Sequence, residues 1–173
     1  MTGVLEASLE KTMSLAHPKI VGLPELLRCL ETARSAGKSV VFTNGCFDLL
    51  HPGHVDLLAR CRAEGDLLVL GLNSDASVRR QGKLPQRPIT PFSARAFVLA
   101  HLACVDFVLE FDADTPYELV RTVRPDVLVK GGDWAVEKIV GADIVRASGG
   151  RVLSLPLLPG FSTTTLLERI RKL

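Results

Sequence analysis

The stretch Val40-Val41-Phe42-Thr43-Asn44-Gly45-Cys46-Phe47-Asp48-Leu49-Leu50-His51-Pro52-Gly53-His54 decides the fold. Val40 to Phe42 is an unbroken apolar run and reads as a short buried strand. A turn bearing Gly45 follows. Pro52 then suits the first position of a helix, where the N–H that proline lacks would go unused. Val55, Leu58 and Ala59 continue that helix on one face, and it ends near Gly65. His51 therefore falls at the helix cap and His54 one turn later. Gly53 removes the side chain between them, so a ligand can come close to the backbone. A helix start carries unpaired N–H groups and partial positive charge. Two imidazoles set there predict an anion site, where they would hydrogen-bond a phosphate more strongly as charge builds on it. The competing reading is that both histidines only cap and pack.

Strand-like and helix-like segments alternate through the rest of the chain. Leu26, Leu30 and Ala33 share a helical face after Gly22-Leu23-Pro24, and Gly37 stops that helix. Leu67 to Leu70 is an apolar strand. Pro91 opens a helix carrying Ala94, Phe97 and Val98, and Val105 to Leu109 returns as a strand. Thr115-Pro116 starts a helix with Leu119, Val120 and Val123 inward. Val127 to Val129 and Val152 to Leu155 are further strands, with a helix around Glu137–Ala147 between them. A last helix from about Ser162 is expected to bury Leu166, Leu167 and Ile170. Apolar strands alternating with amphipathic helices predict an α/β fold: a doubly wound, Rossmann-like parallel sheet with helices on both faces. Ligands of such sheets bind at the carboxyl ends of the strands, so the loops after Phe42, Leu70, Val129 and Leu155 are the place for chemistry. Residues 1–20 show no period and read as a loosely held tail before a single domain over 21–173.

With 47% hydrophobic and 23% charged residues, the 173-residue chain is globular in composition. Its net charge of +2 leaves no general footprint for nucleic acid. No leader-like segment and no apolar run of 18 residues is evident, so no membrane association and a cytoplasmic location are expected. Cys29, Cys46, Cys61 and Cys104 form no CxxC pair, and no third ligand stands near His51 and His54 at metal spacing. No protein-held metal is therefore expected. Gly37-Lys38-Ser39 resembles the end of a P-loop, but the residue five positions earlier is Thr32 and the tripeptide precedes its strand. No GxGxxG occurs, which leaves a dehydrogenase without support.

Four further loops carry candidate site residues. Asn73-Ser74-Asp75 follows the second strand, and a helix cap is the rival reading for Ser74 or Asp75. Arg79, Arg80, Lys83 and Arg87 place four cations in nine residues of an expected loop, where phosphate neutralisation competes with mere solvation. Lys130-Gly131-Gly132-Asp133-Trp134 leaves a strand with paired glycines and a tryptophan that could wall a base. Gly160-Phe161-Ser162-Thr163-Thr164-Thr165 opens the last helix with more hydroxyls than one cap needs, although Thr165-Leu166-Leu167-Glu168 has capping-box form.

Gly45 to His54 resembles the HxGH signature of the cytidylyltransferase-like nucleotidyltransferases. Over Lys19 to Ile170, the segments Phe42–Asp48, Val129–Trp134, Ile139–Ala142 and Ser162–Thr164 look like those of the heptose 1-phosphate adenylyltransferases within that family. The resemblance implies attack of a sugar phosphate on the α-phosphorus of ATP, with His51 and His54 as catalytic residues. It implies nucleotide or phosphate binding by Thr43, Asn44, Gly45, Cys46, Phe47, Gly53, Arg87, Arg95, Gly132, Ser162 and Thr163. Asp48, Asp75, Lys130, Asp133 and Trp134 would hold the acceptor, heptose 1-phosphate, and Mg2+ would arrive bound to the nucleotide. The spacing around Lys83 departs from the Lys-Gly-x-x-Arg-Pro form of the nearest relatives, which leaves Lys83 unassigned. Leu157-Leu158 replace the Arg-Thr pair of the runner-up, glycerol-3-phosphate cytidylyltransferase. A regulator that kept the fold and lost turnover is the remaining alternative. With no kinase segment in the sequence, a stand-alone transferase is expected, as a homo-oligomer.

Overall fold

A computed structural model describes residues 15–82 and 87–173. Helix α1 (Leu23–Ser35) leads into strand β1 (Val40–Gly45), followed by α2 (Pro52–Arg62), β2 (Leu67–Asn73), α3 (Asp75–Arg80) and α4 (Phe92–Ala100). The chain continues through β3 (Phe107–Phe111), α5 (Tyr117–Val123), β4 (Val127–Gly131), α6 (Ala142–Ala147), β5 (Arg151–Leu155) and α7 (Thr163–Ile170). The five strands are all parallel in the order β3-β2-β1-β4-β5. The sheet is thus doubly wound, and its direction of winding switches between β1 and β4. A crevice must open there, above the carboxyl ends of those strands.

Alternate side chains of each strand feed separate cores on the two faces. Val41, Leu68, Leu70 and Val129 pack with Leu57, Leu58 and Leu99 of α2 and α4. Val40, Phe42, Val69 and Leu128 pack with Leu26, Leu30, Val120 and Val145 of α1, α5 and α6. Because both faces are covered, the strands are apolar at nearly every position, which is why they were legible as unbroken apolar runs.

Four elements differ from expectation. Strand β3 begins at Phe107 because Val105 donates to the Leu102 carbonyl and completes a turn first. The helix expected around Glu137–Ala147 divides into a single 3-10 turn (Val136–Lys138) and α6. Gly141 separates them at φ +89°, and a Cβ there would meet Val120 at 2.9 Å. Helix α3 occupies what was expected as loop, with Ser74 as its cap accepting from the Ser77 N–H. On α7, Leu166 and Leu167 are only half-buried and Ile170 is 59% exposed. Of the expected tail, residues 1–14 lie outside the described part. Its last residues are tied to β3: Val108 donates to Lys19 O, and Val21 donates back to Val108 O.

Candidate active site

β1 ends at Gly45, and the loop that follows turns sharply at Phe47, which sits in the left-handed region at φ +45°. That strained residue places its ring against His54, with 5.0 Å between centroids. His51 caps α2 and Pro52 occupies the first turn, as proline should. The two imidazoles stack, 3.7 Å between centroids and 18° from parallel. Gly53 fits tightly into this arrangement. A Cβ there would lie 3.2 Å from the His51 ring and 3.3 Å from Phe161.

Burial lowers the pKa of both histidines. For His54 the neighbouring His51 and Arg87 lower it further, to about 4, against the opposing pull of the Leu49 backbone. Both rings are therefore neutral near pH 7. The Nδ1 atoms of both are buried without a hydrogen-bond partner among the described residues. Buried polar groups are rarely left so, and both rings also line the cavity that opens above the loop.

The rings line a cavity of about 330 Å3 that also meets the start of α7. Asn44, Gly45, Cys46, Phe47, Gly53, Arg87, Ser162 and Thr163, singled out in the sequence for nucleotide or phosphate, line it too, together with Lys130, singled out for the acceptor. Ser162 caps α7, accepting from the Thr165 N–H at 3.0 Å. Two helix N-termini, α2 and α7, thus converge on one cavity that, among the described residues, is lined by two cationic side chains and no carboxylate. A second cavity of about 290 Å3 adjoins it through the shared residues Asn44, Asn73, Gln81 and Lys130. Lys130 reaches Asn44 Oδ1 at 3.5 Å. Trp134, Pro116, Ile139 and Val140 give the second cavity apolar walls.

Other predicted residues stand behind the cavities instead of in them. Arg95 is 2% exposed and gives its donors to Thr90 O, Cys46 O and Asp75 Oδ1, at 2.7 to 2.9 Å. It ties the loop after β1 to Asp75, and neither Arg95 nor Asp75 lines either cavity. Asp48 accepts from Arg87 Nε and from the Ile89 and Thr90 amides. Burial alone would raise its pKa, but the Thr90 amide and Arg87 outweigh that and hold it below the usual carboxylate range. Its carboxylate is thus spent on holding Arg87 in place. Thr43 is buried under the loop, Gly132 shapes the turn after β4 at φ +118°, and Asp133 is exposed outside both linings. Lys83 lies outside the described residues. Arg79 and Arg80 belong to α3. Arg80 is committed to Asp112 and Asp114, and neither arginine enters the cavities.

Sequence reasoning did not single out Gln81, Ile139, Val140 or Phe161 as lining residues, and it named Asn73 only as part of the loop after β2. Asn73 carried a usable signal, a polar side chain ending an apolar strand at the ligand-binding edge. Among the described residues no three His, Cys, Asp or Glu side chains cluster as a metal set, and no helix is long and apolar enough to cross a membrane.

This chain is 56% identical over 158 residues to the bifunctional protein HldE of Syntrophotalea carbinolica, and 52% identical over 153 residues to that of Azotobacter vinelandii. These alignments cover 91% and 88% of this chain but 32% of each relative, so the chain spans about a third of their length. A solved lipopolysaccharide core biosynthesis protein from Thermoplasma volcanium superposes with a TM-score of 0.57 at 27% identity, covering 70% of this chain and 98% of that one. Pantothenate synthetase from Thermus thermophilus is similar in fold alone, with a TM-score of 0.52 at 17% identity over 87% of this chain and 70% of its own. The model of the cytidylyltransferase-like family matches residues 42–153, and with the HxGH pair in place on the β1 loop this chain belongs to that family of nucleotidyltransferases.

Proposed function

We propose that this domain transfers the adenylyl group of ATP to D-glycero-β-D-manno-heptose 1-phosphate, giving ADP-heptose and pyrophosphate for assembly of the lipopolysaccharide core. The observation that carries the transferase chemistry is the stacked, neutral His51–His54 pair lining a cavity between two helix N-termini. A phosphate oxygen of the acceptor attacks the α-phosphorus, the bond to the bridging oxygen of the β-phosphate breaks, and pyrophosphate leaves. Negative charge grows on the α-phosphate oxygens and on the leaving group. Preorganised imidazole and backbone N–H donors aimed at that charge stabilise it without reorganisation during the step. Thr163, Ser162 and the first N–H groups of α7 hold the β- and γ-phosphates.

Mg2+ enters with ATP as part of the substrate. The phosphate cavity offers it no carboxylate, and this hard cation readily keeps phosphate oxygens and water as its ligands. The choice of acceptor and base rests on the resemblance of Phe42–Asp48, Val129–Trp134 and Ser162–Thr164 to heptose 1-phosphate adenylyltransferases. Leu157 supports it by giving the cavity an apolar wall where glycerol-3-phosphate cytidylyltransferases carry arginine. A turnover matrix of nucleoside triphosphates against phosphorylated sugars, read as pyrophosphate release, tests the assignment. ATP with heptose 1-phosphate is expected to exceed CTP with glycerol 3-phosphate by at least ~100-fold in kcat/KM, since sites built to bond hydroxyls reject substrates lacking them. Equal or reversed efficiencies overturn the acceptor and leave the transferase chemistry standing.

A further inference from the structure

We propose that Gln81 is a specificity-determining residue, reading the phosphorylated acceptor where the two cavities meet. The inference rests on the transferase reading above and assigns the second cavity to the acceptor. The phosphate cavity already has apolar walls of its own at Leu157 and Phe161, on the β5 and α7 side, and these suit the nucleoside. The cavity on the β2 and β4 side is then left for the acceptor. Its apolar walls suit the face of a sugar, and its polar groups suit hydroxyls and a phosphate.

Gln81 lines both cavities and follows directly on α3, which the carboxyl end of β2 sets at this edge of the sheet. Its Oε1 accepts from the Cys46 thiol at 3.3 Å, a contact that turns the amide oxygen toward the phosphate loop. No protein group accepts from its Nε2 among the described residues. Asn73 stands beside it, buried and fixed by donating to Ser77 Oγ at 2.9 Å, while Ser77 Oγ donates to Ala113 O. The result is an amide donor on a braced wall, one cavity's width from the histidines. It carries no charge of its own. An uncharged donor there favours acceptors that present hydroxyls beside one phosphate over small acceptors that need full neutralisation.

The test is steady-state kinetics of Gln81→Leu and Gln81→Glu against a panel of sugar and polyol phosphates, with nucleotide affinity measured separately by calorimetry. Gln81 is exposed at a helix end, so both variants should melt like the parent. Gln81→Leu should raise the acceptor KM about tenfold, the lower range for losing one hydrogen bond to a charged or polar ligand, with ATP affinity within about twofold by the same measure. Gln81→Glu should raise it further, because a carboxylate would face the acceptor's phosphate. A change in ATP affinity instead of acceptor KM, or no change in either, overturns the inference. The panel keeps this separate from the heptose assignment. If the parent prefers another sugar phosphate, that assignment fails while the Gln81 variants still report on the preferred acceptor.

Discussion

The two ends of the sheet make opposite use of the same ingredients. At the amino end lies a cavity of about 640 Å3, nearly twice the phosphate cavity, and three arginines line it. By size and by its count of arginines it is the more inviting anion site, although Glu64 and Asp126 line it too. Yet helices α1, α5 and α6 all end there, and helix C-termini carry partial negative charge. Arg34 donates to the Val123 and Arg124 carbonyls at 2.6 and 2.8 Å, and Arg151 pairs with the side chain and carbonyl of Glu64. Asp126 accepts the first amide of β1 at 2.7 Å. These groups are spent on closing the fold. At the carboxyl end α2 and α7 begin, the field is positive, and among the described residues the buried side-chain polar atoms without a partner are the two histidine Nδ1 atoms. Helix direction and unspent donors distinguish a site from a gap; volume does not.

The sharpest way to break this contrast is to remove one group from each end. His51→Ala or His54→Ala should lower kcat by ~100- to 1000-fold, the usual cost of losing one preorganised donor to developing charge. Arg34→Ala should leave kcat within about twofold while lowering the melting temperature, since it deletes bonds to two helix-end carbonyls. Pyrophosphate release and thermal melts on the three variants decide it. Parent-like turnover in both histidine variants would remove them from the chemistry.

The α7 start separates binding from capping. The Thr163 hydroxyl has no hydrogen-bond partner among the described residues, and Thr163 lines the cavity. Thr163→Ala should weaken ATP binding tenfold or more, as expected for a lost bond to a charged group, with little change in melting. Ser162 both lines the cavity and caps the helix. Ser162→Ala should lose affinity and about 1 kcal/mol of stability together. If Thr163→Ala costs only stability, the phosphates lie elsewhere.

Much of this was legible from residues alone, for identifiable reasons. The sheet was readable because strands covered on both faces must be apolar throughout, and the His51–His54 loop because Pro52 and Gly53 fix its geometry locally. What could not be read depended on partners distant in sequence. Arg95 and Asp48 carry the charges of a ligand site, but their partners, Cys46 and Asp75 for one and Arg87 to Thr90 for the other, become visible only in three dimensions. Arg80 looked like a phosphate clamp until Asp112 and Asp114, more than thirty residues away, took it. Gly141 was the missed local signal, a positive-φ glycine that splits one expected helix in two.

The neutral histidines make the carboxyl end sensitive to acid. His54 has a pKa near 4 in the folded chain against an ordinary value of 6.5, because burial and its neighbours disfavour the charged ring. Between pH 6.5 and about 4 the unfolded chain binds a proton that the folded chain refuses. Unfolding is then favoured as pH falls through that window, and this group gives no pH dependence above it. Melts of the parent and His54→Gln from pH 7.5 to 4.5 should therefore diverge, with the parent losing stability more steeply. Parallel curves would mean that His54 titrates normally and is not buried as described.

The smallest effect belongs to the amino end and tests whether its arginines are there for the fold alone. Arg124 terminates α5 at φ +49°, a left-handed conformation that costs an L-residue with a Cβ roughly 1–2 kcal/mol. Its backbone carbonyl, not its side chain, is what Arg34 holds. Arg124→Gly keeps that carbonyl and relieves the left-handed strain. Glycine is also freer in the unfolded chain, which takes back roughly 0.5–1 kcal/mol. The net gain should lie between zero and about 1.5 kcal/mol, a rise of at most roughly 3–6 °C in melting temperature for a domain of this size, with kcat and both KM values unchanged. A gain in stability with parent kinetics would place this cavity outside function. A loss of turnover in Arg124→Gly, with the fold intact, would make the larger cavity a second working site and break the distinction between the two ends of the sheet.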